Sequence, residues 1–526
     1  MSKETNLELY RVMQDFTQSY FSTLDSMSSE KAVRIADENT LAKIRSIGFH
    51  REGRPVKEVV AEMIENVYSH QALLQHPRYF AFIPGPVSPL SWLGDIMTCA
   101  YNPCACTWLE SSSASCVEQE VVKWLCSLLG YPDIAGGLFV SGGSIANLAA
   151  LTVARNAKLS ENQYGDGVAY VSEQTHVSIT KGLRIIGFRG DQIRKIPCDD
   201  GYRMLTSSLE KAVLDDQAAG KIPFVVIATA GTTNTGSIDP MNDIANICEK
   251  HGLWLHVDGA YGASILVSQK YKYLLDGVSR SNSISWDAHK WLMQTYSCSA
   301  ILVRDKQCLI NGFSANPEYY KDAAAMDDEI NYWEFGPEMS RPARSLKLWI
   351  TLQVLGTEAM GQMVEYGVQL AEWIEDEIKK HENWEVISPA QLGIINFRYA
   401  PPGFTDEQLD AINTKISNEI IKDGFAFILT TILGGKTVLR MIAIHPDTTE
   451  EDIRNTVQLL SKYALEAVDD RARELADSHQ ALLSTLNKCE KIDRDKLGKP
   501  QRTLLERRIA ALKVALELIE KEQSSY

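Results

Sequence analysis

Two short stretches carry residues that together can do covalent chemistry. The first, Ser283-Ile-Ser-Trp-Asp-Ala-His-Lys-Trp-Leu292, ends a strand-like apolar run in the pair His289-Lys290. Trp286, Trp291 and Leu292 flank the lysine; burial among them disfavours the ammonium form and makes the amine a nucleophile toward an aldehyde carbon. The second, His256-Val-Asp258-Gly-Ala260-Tyr261-Gly262, ends the apolar stretch Leu253-Trp-Leu. Singly, a lysine at a strand end is ordinarily a snorkelling surface residue. Jointly, they describe an amine that bonds an aldehyde and a carboxylate that holds a cationic ring nitrogen. At an effective dielectric near 20, charges about 4 Å apart gain about 4 kcal/mol, enough to shift a pKa by several units before desolvation is counted.

Such residues need elements that end at one place. Between about 120 and 310, apolar runs at 137–140, 168–171, 224–228, 253–257, 283–286 and 300–303 alternate with amphipathic helices. β-Branched runs without polar alternation suit strands buried on both faces of a mainly parallel sheet, an α/β layered architecture. Ligands of open α/β sheets gather at the carboxyl ends of the strands. Here those ends carry Ser141-Gly-Gly-Ser144, Gln174-Thr-His176, Gly231-Thr-Thr233, Asp258 and His289-Lys290.

At 526 residues the chain exceeds one ordinary domain. Residues 1–85 read as a helical arm. Pro55 opens its best helix, in which Val56, Val59, Val60, Met63, Ile64, Val67 and Tyr68 form one apolar stripe. Such an arm has little core of its own and must pack on something else. Residues 86–345 form a large α/β domain, and residues 346–465 a smaller α+β domain with strands near 393–398 and 437–444 and a helix over 405–423. Residues 466–526 form a charged helical hairpin. A net charge of −15 and a pI near 5.3 exclude nucleic acid and anionic membrane as expected partners. No run of 18 apolar residues and no apolar leader are present, which places the chain in the cytoplasm. Ten cysteines lack C-x-x-C pairs, and Cys104 and Cys106 have no evident partner set, so no metal is expected and the thiols are reduced.

The five rim clusters suit a phosphorylated pyridine aldehyde. Ser141-Gly-Gly-Ser144, between a strand and a helix, offers backbone amides to a phosphate. Asp258 suits the ring nitrogen, small Ala260 can lie beneath the ring, and His176 can stack on its other face. The segments Gly137-Leu-Phe-Val-Ser-Gly-Gly-Ser144, Glu173-Gln-Thr-His176, Gly231-Thr-Thr233, His256-Val-Asp258-Gly-Ala260-Tyr261 and Trp286-Asp-Ala-His-Lys290 resemble the group II pyridoxal-phosphate-dependent decarboxylases. The resemblance is closest to the aromatic-L-amino-acid decarboxylases and bacterial tryptophan decarboxylases, and it covers roughly residues 50–465. It implies the aspartate-aminotransferase (type I) fold, pyridoxal 5'-phosphate as cofactor, and a homodimer whose pockets are completed across subunits. It also implies Lys290 as the lysine that bonds the cofactor, Asp258 as the ring-nitrogen partner and His176 as the stacked histidine. Gly143 and Ser144 match phosphate-cradle positions, Thr233 a cofactor-binding threonine, and His289 a residue near the phosphate. Asp287 departs from the asparagine of the animal enzymes; a second negative charge beside a phosphate is unfavourable, so whether it touches the cofactor is left open.

The segment Asn316-Pro-Glu-Tyr319-Tyr-Lys resembles the catalytic loop of these decarboxylases, in which a tyrosine hydroxyl protonates the carbon that has lost CO2. In related aldehyde synthases phenylalanine stands there and oxygen chemistry follows. A proton must be delivered quickly in a water-poor site, and a phenol can supply it where a phenyl cannot. Tyr320 is a second phenol beside it. Phe82, Ile83, Pro84 and Trp108 match pocket-edge positions and include no basic residue, which favours tryptophan, phenylalanine or tyrosine without ranking them. The rival readings are another enzyme of this fold, such as a decarboxylase of a non-aromatic substrate or an aminotransferase using Arg440, and a nucleotide-binding module. For the latter, Gly434-Gly-Lys436-Thr437 lacks the first glycine of a P-loop and Gly165-Asp-Gly167 the third of a dinucleotide fingerprint.

Overall fold

A computed structural model of the chain describes residues 3–83, 85–315 and 329–523. Seven strands build the larger sheet: β1 (Gly136–Val140), β2 (Gly167–Ser172), β3 (Ile193–Ile196), β4 (Ile222–Thr229), β5 (Trp254–Asp258), β6 (Ser283–Asp287) and β7 (Ser299–Val303), in the order β1-β7-β6-β5-β4-β2-β3. β3, β2, β4, β5 and β6 pair in parallel, while β7 runs antiparallel to both β6 and β1. Six strands therefore end on one rim. The register places Val140 opposite Ser299, Ser299 opposite Asp287, Ser285 opposite Asp258 and Asp258 opposite Thr229, so the polar clusters lie side by side.

All six expected runs are strands. β3 is an edge strand carrying Arg194 and Lys195, and its short, charged sequence is how edges avoid further pairing. Alternate residues feed two cores. Phe139, Tyr170, Val226, Leu255, Val257, Ile284 and Trp286 pack with helices 108–129, 206–218 and 241–251 on one face. Leu138, Val140, Ala169, Val171, Val225 and Ile227 pack with helices 143–158, 177–185 and 307–313 on the other. The expectation of apolar strands without alternation needs correction at β5 and β6. His256 and Asp258, with Ser283, Ser285 and Asp287, all point toward helix 143–158, while the apolar residues between them face the opposite core. Ala146, Ala149 and Ala150 on that helix are fully buried, and their small side chains let it lie close over this polar stripe.

A second, antiparallel sheet contains β8 (Trp384–Gln391), β9 (Ile394–Tyr399), β10 (Leu429–Leu433) and β11 (Lys436–Ile442), in the order β10-β11-β9-β8. Helices 357–378, 406–423 and 450–490 cover it through Leu370, Ile374, Ile416, Ile420, Val457 and Leu460. The junction expected at 465/466 falls inside the last of these, which runs unbroken from Glu450 to Glu490 and then packs against helix Lys499–Gln523. The N-terminal arm consists of helices Lys3–Asp25, Glu38–Ile47 and Val56–Met63, the last continued by a π-helical turn to Tyr68. Residues 78–82 tie it to the second sheet, since Phe80 N–H donates to Phe427 O and Ile442 N–H to Phe80 O. Among the described residues, no helix is long and apolar enough to cross a membrane.

Candidate active site

Lys290 follows β6 in a tight turn, its N–H donating to Asp287 O. Its Nζ lies 3.0 Å from Asp287 Oδ2, and its side chain keeps 22% exposure. Trp286 and Trp291, expected to shield the amine, instead point into the core. Trp286 Nε1 donates to Ser264 Oγ, and Trp291 stacks on Tyr261 with centroids 4.9 Å apart. The amine is thus placed by a carboxylate.

Asp287 is 2% exposed. Its Oδ2 also lies 3.8 Å from His289 Nε2, and its Oδ1 has no hydrogen-bond partner. Gly143, at the start of helix 143–158, passes so close that a Cβ there would fall 2.7 Å from Asp287 Oδ2 and 3.2 Å from Ala260 Cβ. The cradle Gly142-Gly143-Ser144, Ala260, Asp287, His289 and Lys290 therefore share one corner, with Gly142 facing His289 Cε1. His289 is held by Cys298 N–H and the Ser299 hydroxyl at Nδ1. Burial lowers its pKa, while Asp287 pulls the other way.

Asp258 is buried at the end of β5 and accepts three hydrogen bonds, from Asn147 Nδ2 at 3.1 Å, Ser285 Oγ at 3.2 Å and Ala260 N–H at 3.2 Å. His176 caps helix 177–185, and its Nδ1 accepts from the hydroxyl and N–H of Ser178. Its ring keeps an accessible face, yet the surrounding protein desolvates it enough to lower its pKa against the pull of Asp258. Thr233 sits in the turn after β4, where its carbonyl accepts from Arg440 Nη1 at 3.0 Å. Arg440 Nη2 donates to Ala81 O, so the guanidinium ties the Thr233 turn to the segment before Phe82.

Phe82 is 47% exposed with its ring 5.8 Å from that of Phe427, whereas Ile83 is 6% exposed and packed in the large core. Trp108 begins helix 108–129, half-buried, with its N–H donating to Asn331 Oδ1. No hydrogen bond or ring contact among the described residues joins it to Phe82 or Lys290. Pro84, Tyr319 and Tyr320 lie outside the described residues. Sequence reasoning gave no role to Asn147, Ser178, His256, Ser283 and Ser285, which are all buried in the polar layer that leads to Asp258, or to Tyr296, whose ring lies 5.1 Å from His289. The polar alternation of Ser283-Ile-Ser-Trp-Asp287 was the available signal. Cys104, Cys106 and Glu110 bring three ligand atoms within 4.8 Å of one another, and Cys106 Sγ lies 2.8 Å from Glu110 Oε2.

Residues 43–400 match the pyridoxal-dependent decarboxylase conserved domain. The chain is 39% identical over 445 residues to an aromatic-L-amino-acid decarboxylase of Bacillus atrophaeus, spanning 84% of this chain and 92% of that one. Its fold matches the crystal structure of Oryza sativa TDC with PLP and tryptamine with a TM-score of 0.82, at 27% identity, over 87% of this chain and 98% of that one. It also matches Catharanthus roseus tryptophan decarboxylase in complex with L-tryptophan, with a TM-score of 0.82 at 26% identity, over 89% of this chain and 99% of that one.

Proposed function

The chain belongs to the pyridoxal-dependent decarboxylase family, and on that premise we propose that it removes the α-carboxylate of an aromatic L-amino acid (tryptophan, phenylalanine or tyrosine) as CO2 and releases the arylalkylamine. The observation that carries this reading is the convergence of Lys290, Asp258, His176 and the Gly143 cradle on one rim of the sheet. These residues fit pyridoxal 5'-phosphate: the cradle has no room for a Cβ at Gly143, a buried carboxylate faces the rim, and a primary amine stands beside it. When bound, the cofactor supplies an aldehyde and an electron-withdrawing ring.

The chain supplies the rest. Lys290 Nζ would bond the cofactor aldehyde, and Asp258 would hold the ring nitrogen. His176, on the same rim, would cover one face of the ring and exclude water there. The amides of Gly143 and Ser144, with Thr233 and His289, would hold the phosphate, and Ala260 is small enough to leave room for the ring. Tyr319 delivers the proton from its hydroxyl to the carbon that loses CO2. Asp287 holds the Lys290 amine, a role the sequence did not assign. Phe82, Ile83, Pro84 and Trp108 are assigned to the side-chain pocket; the exposed Phe82 ring, backed by Phe427, supports an aromatic substrate.

A homodimer is supported by exposed apolar side chains on three neighbouring helices: Leu7, Tyr10 and Met13, then Ile64 and Val67, then Leu93 and Met97. Surfaces of this kind mark protein contacts, and Ile64 and Val67 belong to the arm's apolar stripe, which requires a packing partner. Ten free cysteines support the reducing cytoplasm as its compartment.

The test is incubation of purified enzyme with each aromatic amino acid. Amine and CO2 in equal amounts support the assignment, and keto-acid formed only with an amino acceptor rejects it.

A further inference from the structure

Beneath helix 143–158 the buried polar groups form one connected chain with a single allowed direction. Asn147 is its hub, at 1% exposure. Its Nδ2 lies 3.1 Å from Asp258 Oδ2 and 3.0 Å from Ser178 Oγ, and its Oδ1 lies 3.0 Å from His256 Nε2. An ionised carboxylate only accepts, so the amide must turn its NH2 to Asp258 and its oxygen to His256. His256 therefore carries its proton on Nε2, and Nδ1 accepts from the Ser283 hydroxyl at 2.9 Å. The Ser283 oxygen in turn accepts from Trp254 Nε1 at 2.9 Å. Trp254 can only donate and Asp258 only accept, so every proton between them points toward Asp258.

The second proton on Asn147 Nδ2 sets a branch. Ser178 Oγ accepts it and donates its own proton to His176 Nδ1 at 2.8 Å. The Ser178 N–H points at the same nitrogen, so His176 keeps its proton on Nε2. With an ionised carboxylate at one end, one amide thus decides the tautomer of two histidines.

We propose that Asn147 is a positioning residue that holds Asp258 as an oriented carboxylate and His176 and His256 as neutral Nε2–H tautomers, and thereby sets how strongly the site grips the ring nitrogen of its cofactor. Burial keeps His256 neutral, with its pKa lowered to about 4, so Asp258 is the one charge in the chain of hydrogen bonds. Removing the amide leaves Asp258 Oδ2 and His256 Nε2 without their partners in a dry interior, where a charge-assisted hydrogen bond has its full strength. Asp258 then turns, and its hold on a cationic nitrogen weakens.

The inference rests on the roles proposed above for Asp258 and His176, and the experiment separates the two. Equilibrium affinity is measured on cofactor-free enzyme by fluorescence titration with pyridoxal phosphate and with its deaza analogue, in which the ring nitrogen is a C–H. Both ligands carry the aldehyde and the phosphate; only one has the nitrogen. In Asn147→Leu, which keeps the branched shape and the number of heavy atoms, affinity for pyridoxal phosphate is expected to fall at least tenfold while affinity for the analogue changes less than threefold. Asn147→Ala is the second variant should the leucine prevent folding, with the same expectation. Equal weakening of both ligands, or no weakening of either, overturns the proposal, because a merely structural asparagine cannot distinguish them. Asp258→Asn is the reference. If it and the wild-type chain treat the two ligands alike, the assignment of Asp258 fails, and the inference with it.

Discussion

Two adjacent glycines should respond differently to the same substitution. At Gly143 an alanine Cβ would fall 2.7 Å from Asp287 Oδ2, 3.0 Å from Oδ1 and 3.2 Å from Ala260 Cβ. The strand behind Asp287 cannot retreat: its N–H donates to Ala260 O, and it pairs in register with Ser299. The carboxylate must therefore swing, which breaks its 3.0 Å contact with Lys290 Nζ inside a closed corner. Overpacking of this kind costs about 1–3 kcal/mol of stability, roughly a 5- to 160-fold change in the folding equilibrium at about 1.4 kcal/mol per decade. At Gly142 the nearest atom to an added Cβ is His289 Cε1 at 3.9 Å, an ordinary contact, and φ of −178° is extended backbone that alanine adopts. Urea midpoints of the cofactor-free variants, compared side by side, should fall for Gly143→Ala and stay near wild type for Gly142→Ala, and Gly143→Ala should also bind pyridoxal phosphate more weakly because the Asp287–Lys290 contact is lost. Equal midpoints for the two variants would refute the packing argument.

Tyr319→Phe is expected to keep CO2 release while amine yield drops at least tenfold, measured by parallel CO2 and amine assays; unchanged amine would shift the proton-donor role to another group. Glu118 and Arg341 form a fully buried ion pair in which Arg341 also donates to Ala105 O and Phe139 O, and Glu118 accepts from Phe139 N–H, just before the cradle. Glu118→Ala leaves the guanidinium unpaired and should cost about 3–5 kcal/mol, most of it recovered in a double variant that also replaces Arg341 with methionine; a small loss in the single variant would contradict this. Burial lowers the pKa of His256 from 6.5 to about 4, so between those values the unfolded chain binds more protons than the folded one. Stability should then fall as pH drops from about 6.5 toward 4, by at most about 1.4 kcal/mol per pH unit for this group. The same pH series on His256→Gln should be flatter, and identical slopes would remove His256 as the cause.

Much of the site was legible because its residues sit at the ends of apolar runs, and a strand end is a local property. Ser141-Gly-Gly-Ser144, Asp258 and His289-Lys290 stand out for that reason alone. Other elements were not legible. β3, with Arg194 and Lys195, reads as a charged linker until β2 is present to pair with it. Nothing local marks β7 as antiparallel, since direction is decided by where the chain returns after the turn that follows Lys290. Asn147 lies on an alanine-rich helix face, and its partners come from strands more than a hundred residues later. Lys290 was expected among tryptophans, but the turn rotates both indoles into the core and brings Asp287 to the amine instead.

What the amino-acid order determined by itself was the set of reactive groups and the period-two and helical patterns that bury one side of each element, because side-chain chemistry and local periodicity need no distant partner. What only the tertiary structure decided was which groups touch. Strand register places Asp287 beside Ser299 and Asp258 beside Ser285, and helix 143–158 lowers one amide between a carboxylate and a histidine. A hydrogen bond or an ion pair acts over about 3 Å, so residues far apart in sequence acquire a protonation state and a direction only when folding brings them to that distance.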